Sequence, residues 1–218
     1  MAARVMALSA RGRDSAATRR AILGAAETLL ASGGEEGLSI RELCARAGVT
    51  PPTVYHHFGD KEALVARVVE DCFSAFGRAQ ATVPRARDPV KALRQGFHSY
   101  LAYGLAHPVH YRIMFERRPS RRTPAGEASY DGLRRMVAAV AAAGRLRTSV
   151  EEAAAACWAA AHGVTSLVVA GVWPSDHPAI ALVEDAVVHR ITRPGPRGTR
   201  PERSRRRGGE EGTGHGDA

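Results

Sequence analysis

Lysine is nearly absent from this 218-residue chain: Lys61 and Lys91 stand alone among 31 basic residues, so the formal charge of +9 rests on arginine. Aromatic residues are scarce as well, at 6%. Few aromatics beside abundant alanine argue against a β-sandwich and for closely packed helices. The chain has only three cysteines, Cys44, Cys72 and Cys157. They lie far apart and follow no zinc or redox spacing, so they read as small core residues in a reducing compartment, with no metal site or disulfide framework. No stretch approaches the ~18–20 uninterrupted apolar residues that cross a bilayer. The arginine-bearing N-terminus lacks the apolar run of a secretory leader, so a cytoplasmic protein with no membrane partner is expected. There is no HExxH, no GxSxG elbow and no phosphate-cradling glycine loop. A non-enzyme without a cofactor is the expectation.

The residues that are present suit a globular protein, with 44% hydrophobic and 24% charged. The basic excess fits an anionic partner, but much of it sits at one end: seven arginines lie between Arg193 and Arg207, with Glu202 the one acid among them. Net charge alone therefore does not establish binding to nucleic acid.

The chain divides by pattern. Residues 1–17 are small, basic and aperiodic and read as a flexible arm. From Thr18 an apolar stripe of Ile22, Ala25, Ala26, Leu29 and Leu30 marks a helix that Ser32-Gly33-Gly34 should stop. Ser39 reads as the N-cap of a second helix, with Glu42 completing a capping box and Gly48 ending it. Thr50 can cap a third helix, whose first turn accepts Pro51 and Pro52 because the amides they lack would have no partner there. Asp60 can cap a fourth, residues 61–80, which carries Leu64, Val65, Val68, Val69, Cys72, Phe73 and Phe76 as a strut between two halves. Residues 81–193 hold further helices over about 89–106, 125–143, 150–172 and 178–191, with a short segment around Tyr111 to Phe115 and an arginine-rich loop from Arg117 to Thr123. Residues 194–218 are low-complexity and read as a disordered tail. The class is all-α, with about nine helices.

Residues 18–60 carry the function. Three short helices, with a turn at Gly48 between the second and third, match a helix-turn-helix whose third helix enters the major groove. Leu43, Ala47, Val49, Val54 and Phe58 face inward and fix the angle between the last two helices. Thr50, Pro51, Thr53, Tyr55, His56 and His57 face outward, where they can meet phosphates, base edges or a thymine methyl. The run GLSIRELCARAGVTPPTVYHHFGDKEAL, Gly37 to Leu64, resembles the N-terminal signature of TetR-family regulators through Gly37, Ala47-Gly48-Val49, Tyr55, His57-Phe58, Lys61 and Leu64. That resemblance implies a homodimer on a palindromic operator in double-stranded DNA. It puts Ser39 and Arg41 at the start of the second helix against backbone or base edges. It places Pro51, Thr53 and His56 facing bases, and Thr50, Tyr55, His57 and Lys61 on phosphates. The paired prolines depart from a more polar recognition helix, which shifts weight toward apolar contact and DNA shape.

The larger half resembles the sensor domains of a TetR subgroup through HPVHYRIMFE, His107 to Glu116, and CWAAAHGVTSL, Cys157 to Leu167, where Trp158, His162 and Gly163 form a Trp-x-x-x-His-Gly motif. Trp158 and His162 share one helical face, so they either line a cavity or pack as a buried pair. Phe97, Tyr100, Leu101, Tyr111, Met114, Phe115, Met136, Trp158 and His162 are the pocket candidates, and their few charges favour a mostly apolar small-molecule effector. The last two long helices carry small and β-branched stripes, Ala153 to Ala156, Ala159 to Ala161, Val164 and Val168, then Ile180, Val183, Val187 and Ile191. These stripes belong either to a four-helix dimer interface or to the chain's own core.

Overall fold

The computed structural model describes residues 2–115 and 123–194, with side chains from Asp14 onward. The described residues form α1 (Ala2–Gly37), α2 (Ile40–Ala47), α3 (Pro51–Phe58), α4 (Lys61–Ala81), α5 (Pro89–Ala106), α6 (Pro108–Phe115), α7 (Pro124–Ala142), α8 (Val150–Val169) and α9 (Ala179–Ile191). They contain no β-strand, only an isolated antiparallel bridge between Leu146 and Thr192.

Local chemistry explains most boundaries. Asp60 accepts from the Ala63 amide at 2.6 Å, Asp88 from Lys91 at 2.9 Å, and Ser149 forms a full capping box with Glu152. Gly48, in the left-handed region at φ 65°, ends α2. Two expectations are corrected. The first helix begins at Ala2 rather than Thr18, because alanine and arginine are strong helix formers even without an apolar stripe. The stop expected at Ser32-Gly33-Gly34 is present as a non-helical break at Gly34, φ 67°, after which the chain winds on to Gly37. At α2 the capping box is half made: Ser39 accepts from the Glu42 amide at 3.4 Å, but the Glu42 carboxylate pairs with Arg46 at 2.8 Å. The arginine-rich loop expected before Thr123 and the tail expected after Pro194 lie outside the described residues.

Burial builds two connected halves. Ile22, Leu29, Leu43, Val54, Leu64 and Val68 share one apolar cluster, which continues along α4 through Cys72 and Phe76 to Tyr103, Ile113 and Met114. A second cluster joins Val90, Leu93, Val137, Val140, Ala153, Ala154, Cys157 and Ile191. A third joins Phe97, Leu101, Ala161, Val164, Val168 and Ile180. The stripes of α8 and α9 thus bury Ala153, Ala154, Ala161, Val164, Val168, Ile180 and Ile191 within one chain. By length and composition α8 is apolar enough to cross a membrane, yet its buried residues belong to these two clusters. Cys44, Cys72 and Cys157 are unpaired and buried. Desolvation pushes the Cys72 thiol up to about 12 and Cys157 to about 11, so both stay protonated at neutral pH.

α5 and α8 meet closely at Gly104. A Cβ there would stand 2.4 Å from Cγ2 of the fully buried Thr165, whereas one at Gly96 would meet only the flexible end of Met136 at 3.1 Å. Gly104→Ala should therefore destabilise the fold by about 1–3 kcal/mol, the range for forcing extra volume into a packed core. Gly96→Ala should cost clearly less. Urea unfolding followed by circular dichroism measures both, and equal midpoints would contradict this account of the crossing.

Candidate nucleic-acid interface and cavity

α3 shows which of its sides is free. Val54 is 1% exposed and Phe58 half-buried against the head cluster, while Tyr55 on the opposite side is 46% exposed. Thr50, Pro51, Pro52 and His56 are also exposed, and Thr53, His57 and Lys61 half-buried. Ser39 and Arg41 are exposed at the start of α2. Thr50 holds the N-cap position but makes no side-chain cap: with prolines in the first turn, its hydroxyl bonds that of Thr53 at 3.0 Å instead. The polar side of α3 faces water, so the segment can lie in a groove without unfolding anything.

The larger half holds a half-open cavity of about 1140 Å³ lined from α4, α5, α6, α7, α8 and α9. Phe97, Tyr100, Met114, Phe115, Met136 and Trp158 line it, together with Phe73, Phe76, Gln80 and Tyr130. The α4 residues were legible only as part of an apolar stripe, and periodicity does not tell a core wall from a cavity wall. Leu101, Tyr111 and His162 stand off the surface. Leu101 packs into the third cluster. The Tyr111 hydroxyl is drawn across to α8, 2.8 Å from His162 Nδ1 and 3.0 Å from Ser166 Oγ. His162 lies stacked beneath Trp158, 5.4 Å between ring centroids.

Charge is confined to the rim. Arg134 pairs there with Asp131 at 3.1 Å and Glu151 at 2.5 Å, beside Arg85, Glu127 and Arg135. Inside, desolvation pushes the Tyr100 phenol well above its ordinary range and lowers the His162 imidazole, so both are neutral at physiological pH.

Two structures join the halves. α4 carries Leu64, Val65 and Val68 in the head and Phe73 and Phe76 on the cavity wall. A polar chain also crosses from α1: Glu27 Oε1 lies 3.0 Å from His110 Nε2 on α6, and His110 Nδ1 lies 3.0 Å from the Tyr103 hydroxyl on α5.

Comparison with known proteins assigns both halves. Residues 22–68 match the family model described as bacterial regulatory proteins, tetR family, and residues 93–190 match the tetracyclin repressor-like C-terminal domain. The transcriptional regulator UidR of Escherichia coli strain K12 is 29% identical over 94 residues, 43% of each chain. EthR of Mycolicibacterium smegmatis is 30% identical over 142 residues, 61% of this chain and 64% of that one. The matched stretches thus span less than two thirds of these relatives. A TetR family transcription regulator from Marinobacter aquaeolei VT8 superimposes with a TM-score of 0.63 at 21% identity, covering 84% of this chain and 98% of that one, which shows the fold. With its head and its larger half each matched to that lineage, the chain belongs to the tetR family of helix-turn-helix bacterial regulatory proteins.

Proposed function

We propose that this protein is a repressor that sits as a homodimer on a palindromic operator and leaves it when a small, neutral, mostly apolar effector enters the cavity. The observation that carries the reading is the exposed polar side of α3 around Pro51 and Pro52, opposite the buried Val54. Paired heads about 34–36 Å apart meet successive major grooves, so a dimer supplies the symmetry that recognition needs. Selection of bound duplexes from a random pool tests this directly: a palindrome supports the reading, and recovery of no preferred sequence refutes it. Within that complex Arg41 reaches a guanine edge and Tyr55 a phosphate. Arg41→Ala should weaken binding by about ten- to a hundred-fold, as loss of a bidentate base contact does. Tyr55→Phe should weaken it less, with the helical circular-dichroism signal unchanged in both. Unaltered footprints would remove these assignments.

The dimer face proposed is the side of α8 and α9 that the chain leaves open. Ala159, Gly163, Leu182 and Ala186 are exposed there, with Leu182 at 69%, and a side chain at Gly163 would meet nothing within 4 Å. Small residues let two helices approach closely, and an exposed leucine gains by being covered. Leu182→Glu should yield a folded monomer in sedimentation velocity; a dimer as stable as the wild type would place the interface elsewhere.

Effector chemistry follows from the cavity wall. Aromatic and thioether side chains form much of it, and its neutral polar groups, Tyr100, Thr123, Gln80 and Ser129, with Trp158 on the exposed side, can each bond a neutral partner. A buried anion would need a cation beside it, and the arginines stand at the rim with Asp131, Glu127 and Glu151 among them. The Trp158, His162 and Gly163 triplet supports membership of the Trp-x-x-x-His-Gly subgroup, with the His162 ring stacked against Trp158. Occupancy would press on Phe73 and Phe76 and favour an arrangement in which α4 carries the heads out of groove spacing. N-phenyl-1-naphthylamine and its sulfonated analogue 1-anilinonaphthalene-8-sulfonate share one aromatic frame, so they isolate the charge. Fluorescence titration should show the neutral probe binding tighter by roughly ten-fold or more, with Trp158→Phe weakening it. Equal or tighter binding of the sulfonate would overturn the assignment of a neutral ligand.

A further inference from the structure

Little holds the recognition helix in place. α3 has eight residues, and Val54 is its one fully buried side chain. Its N-cap threonine makes no side-chain cap, and the prolines of its first turn have no amide to donate. A short helix with so few anchors is free to rock about Val54, and base recognition tolerates little rocking, because a bidentate contact to a base edge depends on the position of two atoms at once.

The missing anchor comes from α1. The Arg19 guanidinium donates through Nη1 to the His57 carbonyl oxygen at 3.2 Å, and its Cζ lies 4.5 Å from the centroid of the Phe58 ring. Both partners belong to the last turn of α3, just before Gly59 closes it at φ 86°. The last carbonyls of a helix have no partner within it, and the end carries partial negative charge, so a guanidinium is well matched there. Its flat face also suits the Phe58 ring in a way that an ammonium does not. α1 packs chiefly on α2, α4 and α6, and Arg19 carries it across to α3.

We infer that Arg19 is a positioning residue for sequence recognition: clamped on the His57 carbonyl and the Phe58 ring, it sets the tilt at which the exposed side of α3 meets the groove, and it does not itself bond DNA. This rests on the regulator reading above. Neither turn chemistry nor the outward face of the helix-turn-helix points to this residue, which lies 31 positions before Thr50 in the sequence and reaches α3 only in the folded head.

The test uses the full chain and the duplex that the wild type selects from a random pool. A wild type that selects no sequence overturns the regulator reading and this inference with it; a wild type that selects one leaves the inference to stand or fall alone. Arg19→Gln and Arg19→Lys should each lose about ten-fold affinity for the selected duplex, within the range of coupling between groups in contact. Their binding to a random duplex, and the slope of log K against log salt, should match the wild type, because no phosphate contact is removed. Phe58→Leu should lose a similar factor, and Arg19→Gln with Phe58→Leu should be no worse than the stronger single change. Renewed selection with Arg19→Gln should return a degraded palindrome.

Other results overturn the inference. If specific and random affinities fall together and the salt slope drops by about one, Arg19 is a phosphate contact. Wild-type behaviour of Arg19→Lys reduces the role to charge, and additive loss in the double variant separates Arg19 from Phe58. Should Arg19→Gln fail to fold by circular dichroism, Arg19→Lys gives the same comparison.

Discussion

One apolar cluster governs this molecule: it starts among α1, α2 and α3 and continues without a break along α4 into α5 and α6. Because Leu43, Val54 and Leu64 share that cluster with Phe76, Tyr103 and Met114, the head does not hang from the larger half on a linker. Close-packed side chains transmit displacement rather than absorb it. Phe73, Phe76 and Met114 stand at the cavity wall and pack in or against that same cluster, which gives the proposed effector response a continuous packed route to the recognition helix.

The polar groups of the structure divide the labour around that cluster. Tyr100, Tyr111, His162 and Ser166 form a bonded set between α5, α6 and α8, while Glu27, His110 and Tyr103 form another between α1, α6 and α5. His110 and Tyr111 are neighbours on α6, so this short helix is gripped by the head through one residue and by α8 through the next. Hydrogen-bonded groups in a low-dielectric setting are costly to leave unpaired. The two sets thus hold α6 in this arrangement, and moving it would cost the hydrogen bonds of both.

Much of this was legible along the chain, for definite reasons. The helix-turn-helix was, because its signals are local: Gly48 in the left-handed region, Asp60 as a cap, and inward Val54 opposite outward Tyr55. The aromatic members of the cavity wall were legible as a set, although not as a surface. Phe73 and Phe76 belong to a stripe that periodicity assigns to core, yet both line the cavity, Phe73 while also packing against Gly126 of α7. Tyr111 went the other way, pulled off the wall by His162 and Ser166, since a hydroxyl follows its bonding partners.

The sequence by itself determined the all-helical class, the caps and turns of the head, and which side of α3 is polar, since propensity, capping and turn geometry act over only a few residues. Tertiary structure alone decided which residues of the α8 and α9 stripes the chain buries in its own core, that α4 lines a cavity, and that Arg19 ends beneath the last turn of α3. Those outcomes depend on how helices far apart in the chain settle against one another, and no short-range pattern encodes that distance.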